Sequence, residues 1–135
     1  MDIVVNEESP EGTEIKVYHS QDHNIRRDQL SNLIDDLVNN QKIKEEQIVI
    51  LGNHQLAHTS IGKNTQVGKF SIKENGLASK GVIPYYSCMK YKGLESDIVI
   101  LLDYEDDRWQ NKVVRYTAIS RAKHLLYILD KSNSN

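Results

Sequence analysis

The sequence predicts an α/β fold, a mostly parallel sheet with helices on both faces. Three observations carry this. Short apolar, β-rich runs recur along the chain, helical stripes fall between some of them, and turn residues punctuate the joins. "EIKVYH" (14–19) reads as a short strand. Leu30, Leu33, Ile34, Leu37 and Val38 then fall at i, i+3, i+4, i+7 and i+8, one face of a helix, with Asn39 and Asn40 suited to its end.

"QIVIL" (47–51), closed by Gly52, reads as a strand buried on both faces. Residues 53–80 are the least regular part, with a short strand expected near "KFSI" and a surface turn or hairpin at "GKNTQVGKF" (62–70). "GVIPYYS" (81–87) is β-rich, and its Pro84 points to an edge strand or a bulge. "DIVILLDY" (97–104) is the strongest strand in the chain. Residues 108–122 read as helical, and "HLLYIL" (124–129) closes as a strand. In sheets of this kind functional loops gather beyond the carboxyl ends of the strands.

The 135 residues favour one domain, read as 14–130 between a loose lead-in at 1–13 and a polar tail at 131–135. A formal net charge of −2 argues against a broad basic field for nucleic acid and leaves room for a local phosphate-contacting patch. The lone Cys88 forms no internal disulfide. No apolar run approaches the roughly 20 residues that span a bilayer. The acidic start lacks the features of a signal peptide, so a cytoplasmic protein that makes no membrane contact is expected.

Most candidate chemistry has a plain structural explanation. His19/His23 and His54/His58 are spaced i, i+4, but neither pair sits in a convincing helix and no HExxH accompanies them, so no metal site is expected. The phosphate-loop pattern is absent. "IVILLDYED" (98–106) resembles the apolar strand whose terminal Asp holds magnesium in nucleotide hydrolases; without a phosphate loop upstream, Asp103 reads simply as the end of a buried strand.

Two stretches do more. "YKGLESD" (91–97) places Lys92, Gly93, Leu94 and Glu95 directly before the best strand, where a glycine permits a tight turn and a carboxylate can accept from hydroxyls. "RYTAISRAKHLLYIL" (115–129) sets Arg121 between small residues and an apolar run, a costly place for a cation without a partner. In this order and at this spacing, the two closely resemble motifs V and VI of the second motor domain of UvrD/Rep-type superfamily-one DNA helicases. Lys92-Gly-Leu-Glu95 match the first motif, and Tyr116, Ala118, Ser120, Arg121, Ala122 and Lys123 match the second. The close match covers roughly residues 83–129.

That resemblance implies a RecA-like, P-loop-NTPase-type three-layer sandwich lacking its own P-loop, the C-terminal portion of an ATP-dependent motor. It implies ATP and Mg2+ as cofactors of the complete protein, none held tightly by this portion alone. The partners implied are an N-terminal RecA-like domain of the same parent chain and single-stranded or duplex DNA. Arg121 takes the role of the motif VI arginine that reaches the γ-phosphate, Glu95 contacts the nucleotide sugar, and Gly93 shapes the turn. Ser87, with Lys90 and Lys92, falls on the DNA side. Met89 stands where the family has a histidine, so one imidazole contact is lost. Two alternatives stay open: an ion pair of Arg121 with Asp103, Glu105 or Asp107, and a non-catalytic module that keeps the fold to bind a protein or nucleic-acid partner.

Overall fold

The computed structural model describes residues 3–8, 14–20, 22–52, 54–87, 96–104 and 122–130. Its strands are β1 (Ile3–Glu8), β2 (Glu14–His19), β3 (Ile48–Gly52), β4 (Gln66–Val67), β5 (Phe70–Glu74), β6 (Val82–Ser87), β7 (Ser96–Tyr104) and β8 (Ala122–Asp130). They form one sheet in the order β1-β2-β8-β7-β3-β6-β5-β4. Every neighbouring pair from β2 to β5 is parallel; β1 and β4 are added antiparallel at the two margins.

Among the described residues one α-helix, α1 (His23–Asp35), joins β2 to β3 and continues as a π-helical turn over Asp36–Asn40. Asp22 starts it: its carboxylate accepts from the backbone N–H of Asn24 at 2.7 Å and of Ile25 at 3.1 Å, two donors the helix cannot satisfy itself. The predicted stripe faces the sheet. Leu30, Leu33, Ile34 and Leu37 pack in one cluster with Ile48, Ile50, Ile98, Ile100, Tyr127 and Leu129. Val49, Leu51, Val99 and Leu101 alternate with these to the other face and are buried as well. Both faces of the central strands are therefore covered, which is why β3 and β7 read as unbroken apolar runs.

Three expectations change. Ile3–Glu8, expected in the loose lead-in, form β1 against β2. Pro84 does not mark an edge, since β6 lies between β3 and β5. The proline is tolerated because the β3 ladder starts only at Tyr85, one residue past it. Ala122, placed at the end of a helix, instead opens β8; the remainder of that expected helix, 108–121, lies outside the described residues, as does the polar tail. The hairpin at 62–70 is present, with Gly68 in the left-handed region turning β4 into β5.

The end of the helical segment carries a pH-dependent contact. Asp36 accepts from the side-chain amides of Asn40 at 2.9 Å and Gln41 at 2.7 Å, and these bonds, with the charge of Lys16, hold its carboxyl below the ordinary 3.8. A carboxyl whose acidity is strengthened by folding contributes stability above its unfolded value and loses it as pH falls through the folded one. Asp36→Asn should therefore lower the thermal midpoint slightly at neutral pH. The gap between variant and parent should close as the pH drops below 3.8, as followed by circular dichroism melts across the acid range.

Candidate functional site

At the carboxyl edge of the sheet β6 ends on Ser87, level with Gly52 at the end of β3. Gly52 leaves room for the Tyr85 ring, because a Cβ there would run into its hydroxyl. That hydroxyl, on a fully buried ring, donates to the carbonyl of His54 at 2.5 Å and so fixes the loop leaving β3. Tyr86 does the same on the next loop, donating to the carbonyl of Gly76 at 2.7 Å. Ser87 thus stands on a braced edge. His54 and His58 do not share an α-helix, since His58 ends a single 3-10 turn, Leu56–His58.

The same edge contains a charge pair that sequence reasoning missed. Arg26, in the first turns of α1, is 1% exposed, and its Nε lies 2.9 Å from Asp103 Oδ1 near the end of β7. Ser60 closes the group: its backbone N–H donates to Asp103 Oδ2 at 2.7 Å, its hydroxyl donates to Oδ1, and its oxygen accepts from Arg26 Nε at 2.8 Å. The guanidinium also donates to the carbonyl of Ser20 at 2.6 Å. Asp103 adopts φ 57°, a left-handed conformation that Asp tolerates better than most residues, where the β7–β8 register shifts. The carboxylate that ends the apolar strand is therefore a structural clasp. Neighbouring Arg27 ties the helix to the following loop by donating to the carbonyls of Asn64 at 3.1 Å and Gln66 at 2.9 Å.

The amino edge holds the starts of the two strands that follow the sequence motifs. β7 and β8 are neighbours, and their first residues, Ser96 and Ala122, pair directly. These are the residues next in sequence to Glu95 and Arg121. The start of β7 is anchored on the 3-10 turn Glu45–Gln47 that leads into β3. Ser96 donates its hydroxyl to the carbonyl of Gln47 at 2.9 Å, and the Gln47 amide donates to Asp97 Oδ2 at 2.9 Å. Glu45 anchors the approach to β6 from the same turn, accepting from the N–H of Gly81 at 2.7 Å. Sequence reasoning also missed this turn, reading Gln47 as the first residue of the strand.

The two edges are far apart. Leu51 is level with Leu101 and Gly52 with Ser87, so Ser87 stands level with Leu102, six residues along β7 from Ser96. At about 3.3 Å per residue that is about 20 Å. Ser87 stands at the carboxyl edge, where functional loops are expected, while the strands that follow Glu95 and Arg121 in sequence begin at the amino edge. Lys90, Lys92, Gly93, Glu95 and Arg121 themselves lie outside the described residues. Among the described residues no group of three or more His, Cys, Asp or Glu side chains could hold a metal ion, and no helix is long and apolar enough to cross a membrane.

No family model and no curated protein matches the chain. Among solved structures it is similar to the C-terminal domain of a possible DNA helicase from Lactobacillus plantarum WCFS1, with 21% identity over 84% of this chain and 71% of that one. The TM-score is 0.64. The mostly parallel α/β sheet described above is thus similar in fold to that domain.

Proposed function

We propose that this chain is the C-terminal, RecA-like motor domain of a UvrD/Rep-type superfamily-one DNA helicase or translocase. One observation supports the reading above all. Lys92–Glu95 and Tyr116–Lys123 carry the order and spacing of two helicase motifs, and each runs directly into one of two adjacent parallel strands whose first residues pair. Segments that enter neighbouring strands from one side are suited to serve a single ligand.

On this reading Arg121 meets the γ-phosphate of ATP bound between this domain and an N-terminal RecA-like domain. Phosphoryl transfer needs little covalent help, so a cation placed against the developing charge is a main contribution. Glu95 accepts from the sugar hydroxyls, and Gly93 lets the backbone approach. The Ser96–Gln47–Asp97 contacts keep the strand after Glu95 in place. Ser87, about 20 Å away along the sheet, faces DNA, and the stretch from Ser87 to Glu95, which carries Lys90 and Lys92, links the DNA contact to the nucleotide contact. The magnesium ion is assigned to the phosphate-loop domain, since the motifs here include no magnesium-binding carboxylate pair.

The experiment is calorimetric titration of the chain with ATP. One arginine and one sugar contact do not offset the cost of association, so binding in the micromolar range is not expected and turnover should equal that of buffer. Micromolar affinity, or turnover above buffer, would mean that the chain holds a complete nucleotide site and that the shared-site reading is wrong.

A further inference from the structure

Gln29 lies on the inner side of α1 and is 4% exposed, yet neither its amide nitrogen nor its amide oxygen has a hydrogen-bond partner among the described residues. A buried amide left in that state loses its water bonds for nothing in return, and folded proteins rarely leave one so. A leucine at this position would avoid the penalty. The same residue borders a cavity of about 200 Å3 between α1 and β2, whose other described walls are Tyr18, Asn32, Leu33 and Asp36.

We propose that this cavity binds a nucleobase, presented either by a free nucleoside or by one residue of a single strand. The inference is independent of the motor reading. The volume falls below what a drug-sized molecule needs and suits one ring system. A base has two apolar faces and an edge of alternating donors and acceptors. The Tyr18 ring and Leu33 supply apolar wall. The ring is held by an offset contact with Tyr127, centroids 6.3 Å apart. Gln29 carries a donor and an acceptor side by side, the pairing that carboxamides make with base edges.

Asn32 adds a second amide, and Asp36 adds an acceptor-only carboxylate that suits an exocyclic amine and repels a phosphate. Burial, helped by the charge of Asp36, pushes the Tyr18 phenol up, so its hydroxyl remains a donor at neutral pH. Because the Gln29 amide has no partner to give up among the described residues, turning it into the cavity breaks no described bond.

The test is heteronuclear NMR of the full chain titrated with adenosine, guanosine, cytidine and thymidine at millimolar concentration, and separately with oligothymidylate and an abasic strand. At least one nucleoside should shift the Gln29 side-chain amide and the Tyr18 ring resonances. Gln29→Leu should weaken that binding roughly tenfold or more without lowering the thermal midpoint, and Tyr18→Leu should weaken it through loss of the ring. An oligonucleotide that shifts the same resonances at lower concentration than its nucleoside, with the abasic strand inactive, identifies a strand as the source; the reverse order identifies the free nucleoside. If no nucleoside or strand moves these resonances, the proposal is overturned. It also fails if binding survives both substitutions, or if a blocked dipeptide shifts the resonances where the nucleosides do not.

Discussion

On the proposed motor reading, Arg121→Ala in the complete protein should lower ATP turnover by roughly 10³- to 10⁵-fold and leave the thermal midpoint of the domain nearly unchanged. The size follows from what the proposed arginine does: it meets charge that grows on the γ-phosphate as the bond breaks, in a cleft from which water is excluded. The midpoint should hold because, on that reading, the partner of the guanidinium is a ligand and not the core. Arg121→Lys restores little, since an ammonium keeps the charge but lacks the planar fork that engages two phosphate oxygens. DNA affinity without nucleotide barely moves. ATPase rate, melting midpoint and DNA affinity measured on the same three proteins decide the matter. Should the alanine variant mainly unfold, while the folded remainder hydrolyses ATP at the parental rate, Arg121 is an ion-pair partner within the domain. Of the three carboxylates considered for that alternative, Asp103 already engages Arg26 and Ser60.

Asp103→Asn destabilises the fold by about 3–5 kcal/mol, the usual cost of removing one partner from a buried charge pair. Asparagine tolerates the left-handed backbone at this position, so the effect isolates the lost charge from backbone strain. The guanidinium of Arg26, 1% exposed, is left without its carboxylate. Arg26→Met combined with Asp103→Asn should recover a large part of the loss, because the buried cation is then removed together with the carboxylate it faces. Urea midpoints for the two single variants and the pair give the coupling. A single-variant cost under about 1 kcal/mol would place the pair among solvent-screened contacts of little weight.

The sheet was readable where each strand announces itself locally. β3 and the middle of β7, Ile98 to Leu102, are apolar without interruption because both of their faces are covered, β2 alternates, and β8 runs apolar from Leu125 to Leu129. The helix was readable from Leu30, Leu33, Ile34 and Leu37. What failed was set by pairing partners outside each segment. β1 becomes a strand because β2 offers it an edge, and its Ile3-Val4-Val5 start is obscured by the acidic residues that follow. Pro84 looked like an edge marker because the point at which the β3 ladder begins is a matter of register. Arg26 and Asp103 lie 77 residues apart and meet only through the fold. A faint signal existed: Arg26 continues the stripe of Leu30, Leu33 and Leu37 one turn toward the helix start, where a charged residue on the core side calls for a buried partner. Gln29 borders the same stripe and carried the same signal.

The place of β8 has a consequence for how the molecule is made. β8 is the last of the described strands in sequence, yet it lies inside the sheet, parallel to both β2 and β7. Glu14 pairs with Leu125, so this ladder closes over most of the chain. Until β8 emerges, β1 and β2 have only each other, and a two-stranded ribbon is marginal in water. Long-range parallel closure of this kind is slow, because the entropy of drawing the ends together is lost before any contact compensates for it. Between the synthesis of β2 and that of β8 the β1–β2 hairpin therefore has no neighbour in the sheet, and β7, once made, keeps an open flank until that single strand is seated.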